Sequence, residues 1–410
     1  MRVSCLQENL ARGLAIVGRA VATRSTLPVL SNVMLATDMG RLKLAATNLE
    51  MGISCWVGAK VEEEGAITVP ARVLIDLVNG LPPERIDMEL IVRTSTLHLQ
   101  CARFEAHIKG LDAQEFPMIP TFQEDEVGAT GLSPLQLEAE VLGQMIEQVA
   151  FAAAVDESRP ILTGVLMHFE EESAKEEKRL IMAAADGFRL SVRREAFPPS
   201  SVEGATGRSP ILGAIDVIVP ARALTELARV TGSNEEPIVL HITSERHQIL
   251  FHQGNVDLVS QLIEGHFPDY TQIIPTTYTL RTTVETGAFL KAVRMANIFA
   301  RDAANIVRLS IVPGSELTPG HMSVAATSAE LGDHVGEIDA SMEEGATGQS
   351  PVRGEPMTIA FNANYLIDIL SCVGTENIAL ETTTPSSPAV IRPVGGPDLT
   401  HVIMPIHISE

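Results

Sequence analysis

The sequence lacks the features of a membrane-spanning or secreted protein. Its 410 residues contain no run that approaches the ~18 consecutive apolar residues of a membrane-spanning helix. The first apolar stretch is interrupted by Glu8 and Arg12, which is not typical of a secretory leader. No Cys-x-x-Cys pair occurs among the four cysteines, which are Cys5, Cys55, Cys101 and Cys372. We therefore expect a cytoplasmic protein with reduced thiols and neither disulfides nor a zinc site.

Aromatic residues and positive charge are also scarce. Aromatics make up 4% of the chain, and 30 Lys and Arg against 52 Asp and Glu give a formal charge of −22. This charge argues against a protein whose whole surface binds nucleic acid, but not against a basic surface inside an acidic shell. Hydrophobic residues make up 45%, as in soluble globular proteins. A single core rarely grows beyond about 250–300 residues, so we expect two or three domains.

Signatures of catalysis are missing as well. The chain has no G-x-G-x-x-G after a strand, no phosphate-binding G-x-x-x-x-G-K-[ST], no G-x-S-x-G and no H-E-x-x-H. His241, His247 and His252 lie on or near a predicted strand whose faces alternate, which favours surface histidines over metal ligands. Asp186 and Asp269 lie in turn signals, where Asp bonds to the backbone. We expect no catalytic residues, no metal centre and no cofactor.

What the chain does contain is internal repetition at a long period. One marker, Val-Pro-Ala-Arg or Phe-Asn-Ala-Asn, begins at Val69, Val219 and Phe361. Its offsets are 219 − 69 = 150 and 361 − 219 = 142 residues. A second marker, with Ala-Ala at its centre, begins at Leu44, Met182 and Val324, at offsets of 138 and 142. Solenoid repeats span about 20–50 residues, so each copy here should be a whole domain.

Each repeat shows the same order of predicted elements. An amphipathic helix comes first, with apolar residues at spacings of three and four, namely Leu6, Leu10, Leu14, Val17 and Val21. Strands with alternating or β-branched residues follow, as over 41–46, 51–57 and 96–101. A second helix begins after Pro70 and stops near Gly80. The predicted class is α+β, with three similar domains, each of two helices packed on antiparallel sheet.

Proline-bracketed segments at 116–120 and 267–275 mark the predicted domain boundaries. The domains are therefore expected to be 1–121 (N-terminal), 122–275 (central) and 276–410 (C-terminal). The motif Gly-Ala-Thr-Gly-x-Ser-Pro recurs at 128–134, 204–210 and 345–351. Its Gly, Ser and Pro content is typical of surface turns, and we interpret the copies as tolerated loop insertions.

Six motifs follow one order along nearly the whole chain. They are Arg24-Ser-Thr-Leu-Pro-Val-Leu, Val69-Pro-Ala-Arg, Ala184-Ala-Asp-Gly-Phe-Arg-Leu, Gly265-His-Phe-Pro-Asp-Tyr, Phe361-Asn-Ala-Asn-Tyr and Val402-Ile-Met-Pro-Ile. In this order they resemble the bacterial DNA polymerase III beta subunit family, the sliding clamps. The resemblance implies three similar domains per subunit and two subunits closed head to tail into a ring around duplex DNA. It implies no reaction and no cofactor, but a processivity factor that tethers polymerases.

The resemblance directs attention to cations on the predicted helices. If the helices of all repeats face one side, such cations meet phosphates at one charge per ~1.7 Å of duplex, a sequence-independent attraction. The candidate DNA-binding residues are Arg12, Arg19, Arg24, Arg72, Arg222, Arg229, Lys291 and Arg294. The alternative for each is an ordinary solvated helix face. The first helix of the second repeat departs from the family pattern, since it bears Glu138, Glu140 and Glu147 without Lys or Arg.

The family also implies a pocket for short linear peptides of the polymerase III alpha subunit, the clamp loader, other polymerases and repair proteins. The matching residues are Leu162, Gly187, Phe188, Arg189, Leu190, Pro268, Gln272, Ile273, Asn362, Tyr365, Pro388, Val402, Met404, Pro405 and Ile406. Leu, Ile, Met and Pro suit an apolar socket, with Arg189 and Tyr365 as polar edges. The alternative is ordinary interdomain core. Ile408, Ser409 and Glu410 replace the usual short hydrophobic end.

For the homodimer, the family pattern places Ile298 and Phe299 against the partner's Phe104. Two large apolar residues beside Arg301 would be unfavourable if left exposed. Two other interpretations stay open. One is a clamp paralogue specialised for repair or for evading a clamp-directed antibiotic. The other is an enzyme on a repeated α+β scaffold, against which the missing motifs count.

Overall fold

The computed structural model describes residues 1–122, 135–172, 177–197, 215–232, 236–243, 247–302, 304–314, 319–345 and 357–407. The three copies of Gly-Ala-Thr-Gly-x-Ser-Pro lie outside these ranges, except for Gly345, and so do residues 408–410. Their interpretation as loop insertions therefore stays a prediction. None of the helices in the described ranges is both long and apolar enough to cross a membrane.

The helices and strands follow the predicted repeating order. The helices are α1 (Gln7–Val17), α2 (Ala71–Gly80), α3 (Ala139–Val149), α4 (Ala221–Thr231), α5 (Thr286–Ala300) and α6 (Ala363–Cys372). The first strands are β1 (Arg2–Leu6), β2 (Asn32–Asp38), β3 (Arg41–Thr47), β4 (Met51–Val57), β5 (Lys60–Glu63), β6 (Ala66–Pro70), β7 (Arg85–Ile91), β8 (Thr96–Cys101) and β9 (Phe104–Lys109). The middle strands are β10 (Leu135–Leu137), β11 (Gly164–Glu172), β12 (Glu177–Ala185), β13 (Arg189–Phe197), β14 (Ile215–Pro220), β15 (Ile238–Ile242), β16 (Gln248–Gln253) and β17 (Val256–Gln261). The last are β18 (Leu280–Glu285), β19 (Ile306–Val312), β20 (His321–Ser328), β21 (Gly332–Asp339), β22 (Ser341–Glu344), β23 (Met357–Asn362), β24 (Asn377–Thr382), β25 (Ala389–Pro393) and β26 (Asp398–Ile403).

The described residues divide into two compact units. The first unit takes its described residues from Met1–Gly143 and Ala223–Ile263, and the second from Gln144–Pro199, Gly213–Arg222 and Glu264–Glu410. Residues of the predicted central domain contribute to both units, because its strands extend sheets that also contain strands of the flanking segments. The boundaries at residues 121 and 275 therefore stay a prediction.

The first unit contains two antiparallel sheets. One has five strands in the order β5-β1-β7-β8-β9, and the other has eight in the order β10-β15-β16-β17-β4-β3-β2-β6. Strand β17 pairs with β4 in the register Leu258↔Ile53, which makes one continuous sheet from strands about 200 residues apart in the chain. The backbone N–H and C=O groups of β17 and β4 hydrogen-bond to each other, so neither strand has an unpaired edge on that side.

The second unit is also built from two antiparallel sheets. The larger has nine strands in the order β14-β11-β12-β13-β26-β25-β24-β18-β22, and the smaller has four in the order β21-β20-β19-β23. Helices α5 and α6 lie on a core that includes Phe289, Phe361 and Leu366, all without exposed surface. Strand β13 pairs with β26 in this unit, and the candidate peptide-binding residues Arg189, Leu190 and Val402 lie on these two strands.

The sequence pattern predicted the buried face of α1 but not its limits. Leu10, Leu14 and Val17 are buried, as the helical spacing predicted. Leu6 was wrongly assigned to the helix, because it ends β1 and pairs with Arg85 of β7. Val21 was also wrongly assigned, because α1 ends at Val17 and a 3-10 turn over Gly18–Ala20 separates the two residues.

Candidate partner-binding and DNA-facing surfaces

A tight turn between β12 and β13 carries two of the candidate pocket residues, Gly187 and Phe188, and β13 begins with two more, Arg189 and Leu190. The Asp186 carboxylate accepts hydrogen bonds from the backbone N–H of Phe188 (2.8 Å) and of Arg189 (2.9 Å), which confirms Asp186 as a turn residue. Gly187 has φ of +93°, and a Cβ there would lie 3.1 Å from the Arg159 guanidinium. The turn therefore requires glycine at this position and presents Phe188 to solvent with 58% exposure.

The side chain of Arg189 is buried and bonded to several groups of the protein, so it is not available as a polar edge for a peptide. Its guanidinium donates to Asp186 Oδ2 (3.0 Å), to Asp368 Oδ2 (2.6 Å) and to the main-chain oxygen of Phe151 (2.7 Å). The guanidinium carbon lies 5.1 Å from the ring centroid of Phe151 and 4.5 Å from that of Tyr365. Only 10% of the Arg189 side chain is exposed. Removing one partner of a buried ion pair costs about 3–5 kcal/mol, so we expect these groups to hold one fixed arrangement.

Strand pairing joins this turn to the C-terminal segment. Leu190 pairs with Val402 in the β13–β26 register, and the N–H of Met404 donates to the main-chain oxygen of Phe188 at 2.8 Å. Leu190 and Val402 are 2% and 1% exposed, so their side chains lie beneath the surface and have almost no area to offer a peptide. Met404 is 40% exposed and lies beside the turn that presents Phe188.

A second turn, the 3-10 helix Tyr270–Ile273, carries further candidates. Asp269 caps it by accepting from the Thr271 N–H (3.1 Å) and from the Gln272 amide (2.7 Å). Hydrogen bonds from Thr271 and Gln272 lower the pKa of Asp269, so the cap stays ionised and Asp269 is a turn residue, as predicted. Ile273 is 44% exposed, and Pro268 is exposed next to the cap. The turn therefore exposes the apolar side chain of Ile273, whereas the side-chain amide of Gln272 is already hydrogen-bonded to Asp269.

The remaining candidate pocket residues are half-buried, namely Leu162, Asn362, Tyr365, Pro388, Pro405 and Ile406. Asn362 caps α6, and its side-chain oxygen accepts from the Asn364 N–H at 2.9 Å. Burial raises the pKa of Tyr365, so its hydroxyl keeps its proton and can donate a hydrogen bond. All fifteen candidates belong to the second unit. The supporting residues Phe151, Asp186 and Asp368 carried no motif of their own, because their role depends on the folded contacts of Arg189.

His401 lies in the middle of the β13–β26 pairing. It is fully buried, and its Nδ1 lies 2.8 Å from Ser191 Oγ. Its Nε2 has no hydrogen-bond partner within the described part of the chain. Burial, with a smaller contribution from Arg189, lowers the pKa of His401 to about 3. The ring is therefore neutral at physiological pH.

All eight candidate DNA-binding cations are exposed, and they lie on or beside the helices. Arg12 is on α1, Arg72 on α2, Arg222 and Arg229 on α4, and Lys291 and Arg294 on α5. Arg24 lies in the loop that follows the 3-10 turn Gly18–Ala20, and Arg19 lies in that turn. The expectation that Arg19 shares a helical face with Arg12 was wrong, because α1 ends at Val17.

Carboxylates compete for some of these cations. Glu226 lies 3.1 Å from Arg19 and 2.8 Å from Arg229, so one carboxylate bridges two guanidinium groups. Arg72 lies 3.9 Å from Asp76, and Arg294 donates to Ser371 at 3.3 Å. These contacts lower the net positive charge around Arg19, Arg229 and Arg72.

Arg24, Arg12, Arg222 and Lys291 have no carboxylate within ion-pair distance in the ranges that the structure describes. By contrast, Glu140 and Glu147 on α3 and Glu138 just before it are exposed. The cationic candidates are therefore concentrated on α1, α2, α4 and α5.

The candidate dimer residues differ in exposure. Phe104 begins β9, an edge strand of its sheet, with 57% exposure. Ile298 on α5 is 49% exposed. Phe299 is half-buried, and its ring stacks on His334 with centroids 5.7 Å apart. The expectation of two exposed apolar residues on α5 therefore holds for Ile298, whereas Phe299 already has a partner within its own unit.

The three histidines considered for metal binding do not converge. The expectation of a surface histidine was wrong for His241, which is buried on β15 between two neighbouring strands, with Nδ1 unpartnered among the described residues. His252 on β16 lies 2.6 Å from Asp257 through its Nδ1 and stacks on Phe122. His241 pairs with Leu250 and not with His252, and His247 lies at the exposed start of the same hairpin.

Comparison with solved structures defines the class of this architecture. The DNA polymerase sliding clamp of Bacillus subtilis matches with a TM-score of 0.84 and 25% identity, and the match covers 100% of both chains. The beta sliding clamp of C. crescentus matches with a TM-score of 0.82 and 28% identity, over 100% of this chain and 99% of that one. The chain therefore has three clamp domains, each with helices on antiparallel sheet, and the predicted class is confirmed.

Sequence comparison then identifies the family. Models of the DNA polymerase III beta subunit match at residues 1–120 (N-terminal domain), 136–269 (central domain) and 271–407 (C-terminal domain). The beta sliding clamps of Synechocystis sp. and Synechococcus elongatus are 31% and 32% identical, each over 100% of both chains. The chain belongs to the bacterial DNA polymerase III beta subunit family and is a DNA polymerase processivity factor, as the six motifs predicted.

The buried His401 predicts how stability depends on pH. The folded pKa of about 3 is lower than the usual value of 6.5, so the unfolded chain binds the extra proton as the pH falls below about 6.5. The stability that the neutral His401 contributes to the folded state is therefore complete above pH 6.5. Below that pH it falls by about 1.4 kcal/mol per pH unit. Denaturant unfolding at pH 7.5 and 5.5 should show a smaller loss of stability on acidification for His401→Gln than for the wild type.

His407→Gln is the matched control, because His407 lies six residues away and is exposed. It should keep the wild-type dependence on pH. Equal pH dependence of the wild type and His401→Gln would contradict the buried, neutral state of His401.

Proposed function

We propose that this chain acts as a head-to-tail homodimeric ring that encircles duplex DNA without reading its sequence. The ring holds the polymerase III alpha subunit, the clamp loader, other polymerases and repair proteins through short linear peptides. It is an accessory factor of the cytoplasm with no catalysis and no cofactor of its own. Its folding domains are 1–121, 122–275 and 276–410. The observation that carries the proposal is the surface of the second unit on which Arg189 and the β13–β26 pairing fix exposed Phe188 and Met404.

The peptide surface is suited to a short apolar anchor. Phe188, Ile273 and Met404 expose 58%, 44% and 40% of their surface, while Arg189, Leu190 and Val402 hold the chain beneath and beside them. A preformed apolar surface lowers the ordering cost of binding. Methionine adapts to several partners because its side chain is flexible and polarizable. This combination supports binding of several different peptides at one place.

Replacing the exposed methionine tests the peptide surface. We expect Met404→Ala to weaken binding of a peptide from the polymerase III alpha subunit by about 1–3 kcal/mol, because an anchor contact is lost. Isothermal titration calorimetry measures the change. Met118→Ala is the matched control, since Met118 is 96% exposed in the first unit and should leave the affinity unchanged. Equal affinity of the wild type and Met404→Ala would remove Met404 from the site.

The exposed cations supply the attraction to DNA. Arg24 has no carboxylate at ion-pair distance within the described ranges, and Arg72 has 95% of its side chain exposed. Because the protein has a net charge of −22, the rest of its surface repels the DNA phosphates. Weak, nonspecific contacts at the cations let the ring slide.

Charge reversal tests this role. Arg24→Glu combined with Arg72→Glu should reduce the amount of protein that the clamp loader and ATP place on nicked circular DNA, and the difference from the wild type should shrink at higher salt, which screens the wild-type contacts. Lys60→Glu combined with Arg85→Glu makes the same change in charge on the five-stranded sheet, where both residues already pair with carboxylates. This control should load like the wild type. Unchanged loading of the Arg24 and Arg72 variant would contradict the proposed role of these residues.

Ring closure is proposed to use two sheet edges. In the described sheets, β9 and β21 each lie at an edge and offer unpaired main-chain groups. Phe104 begins β9, and Ile298 lies on α5 in the unit that contains β21. Exposed apolar residues beside a free edge favour association through that edge.

We expect Phe104→Ala combined with Ile298→Ala to yield monomers in gel filtration coupled to light scattering, because the apolar contact between subunits is lost. Phe299 is left unchanged because it packs within its own unit. Met295→Ala is the control on the same helix, where Met295 is 45% exposed, and it should stay dimeric. A dimer of the double variant at low micromolar concentration would contradict this interface.

A further inference from the structure

The hairpin of β8 and β9 brings two histidines and a glutamate to one face of the five-stranded sheet. His98 on β8 pairs directly with His107 on β9, and Gln100 pairs with Glu105. Side chains two residues apart on a strand point to the same face. His107 and Glu105 therefore share a face with His98, although the three lie at sequence spacings that match no short metal motif.

The side chains already lie close together. His98 Nε2 is 2.9 Å from Glu105 Oε1, and the rings of His98 and His107 stack with centroids 4.6 Å apart. One ligand atom of each residue lies within 4.8 Å of one atom of each other residue. Ligand atoms around a tetrahedral zinc ion, at bonds of about 2.0–2.1 Å, are roughly 3.3 Å apart. Small side-chain rotations are enough to reach that geometry, because the strand pairing already fixes the backbone.

The donor set indicates the class of ion. Two imidazoles and one carboxylate suit Zn²⁺ and its neighbours Ni²⁺ and Cu²⁺, whereas Mg²⁺ and Ca²⁺ prefer oxygen ligands. His107 has no hydrogen-bond partner in the described chain, so its nitrogens are available to a ligand. His98 also lines a groove of about 280 Å³ together with Glu89 and Gln100, which lets water reach the remaining coordination positions.

We propose that His98, Glu105 and His107 form a binding site for a divalent transition-metal ion, with Zn²⁺ as the reference ion. The ion bridges β8 to the edge strand β9 and stabilises the hairpin. This site lies within the first unit and does not depend on the peptide surface of the second unit. Its ligands come from one hairpin of one chain, so zinc binding needs no second subunit, and two of them lie on β9, the strand also proposed for ring closure.

Zinc titration of the full chain tests the site. After removal of bound metal with a chelator, calorimetry with ZnCl₂ should show one tight site per chain in the wild type. In His98→Ala with His107→Ala, the affinity of that site should fall at least tenfold. His266→Ala with His407→Ala removes two exposed histidines elsewhere and should leave the tight site unchanged.

Two further measurements separate loss of a ligand from loss of the fold. Without metal, the hairpin variant should unfold at nearly the wild-type temperature, because the two rings lie on a solvent-facing surface. Glu105→Gln, which keeps the size of the side chain, should also weaken zinc binding. Added zinc should raise the unfolding temperature of the wild type and not of the hairpin variant. Equal zinc affinity of the wild type and the hairpin variant, or no binding to the wild type at 100 µM zinc, would overturn the proposal.

Discussion

The candidate peptide surface depends on one buried cation. The Arg189 guanidinium joins the turn before β13, the main chain at Phe151 and Asp368 on α6. Its planar faces lie against Phe151 and Tyr365. Lysine could not replace it, because an ammonium group offers neither the planar fork nor the flat faces. These hydrogen bonds and ring contacts of Arg189 together fix the turn from which Phe188 projects.

The strand pairing next to Arg189 extends this constraint along the chain. Strand β13 and the last strand, β26, share one sheet, so the C-terminal segment with Met404 is held against the turn by main-chain hydrogen bonds. His401 inside this pairing is neutral because an imidazolium there would lack solvent. The exposed side chains of the surface are thus carried by a rigid sheet, which suits binding of peptides whose only common feature is a short apolar anchor.

The sequence predicted regular elements well and side-chain environments less well. Strands β4 and β8 begin and end at the predicted residues, because alternation and turn residues act locally. Leu6, Val21 and Arg19 were misplaced, since strand pairing at one end of α1 and a 3-10 turn at the other limit the helix. Burial of Leu190 depends on pairing with Val402 of β26, about 200 residues further along the chain, and the hydrogen bonds of Arg189 depend on Phe151 and Asp368, which are also distant in sequence. The grouping of His98 with Glu105 and His107 depends on hairpin register, for which short-range motifs carry no signal.

The central claim is that this processivity factor stays on DNA because it surrounds it, not because it binds tightly. The most direct measurement loads the protein onto nicked circular DNA, then compares its retention before and after one cut that linearises the circle. Encirclement predicts long retention on the circle and rapid loss from the free ends after cutting. Equal retention on the two forms would show that contact holds the protein, and would contradict encirclement.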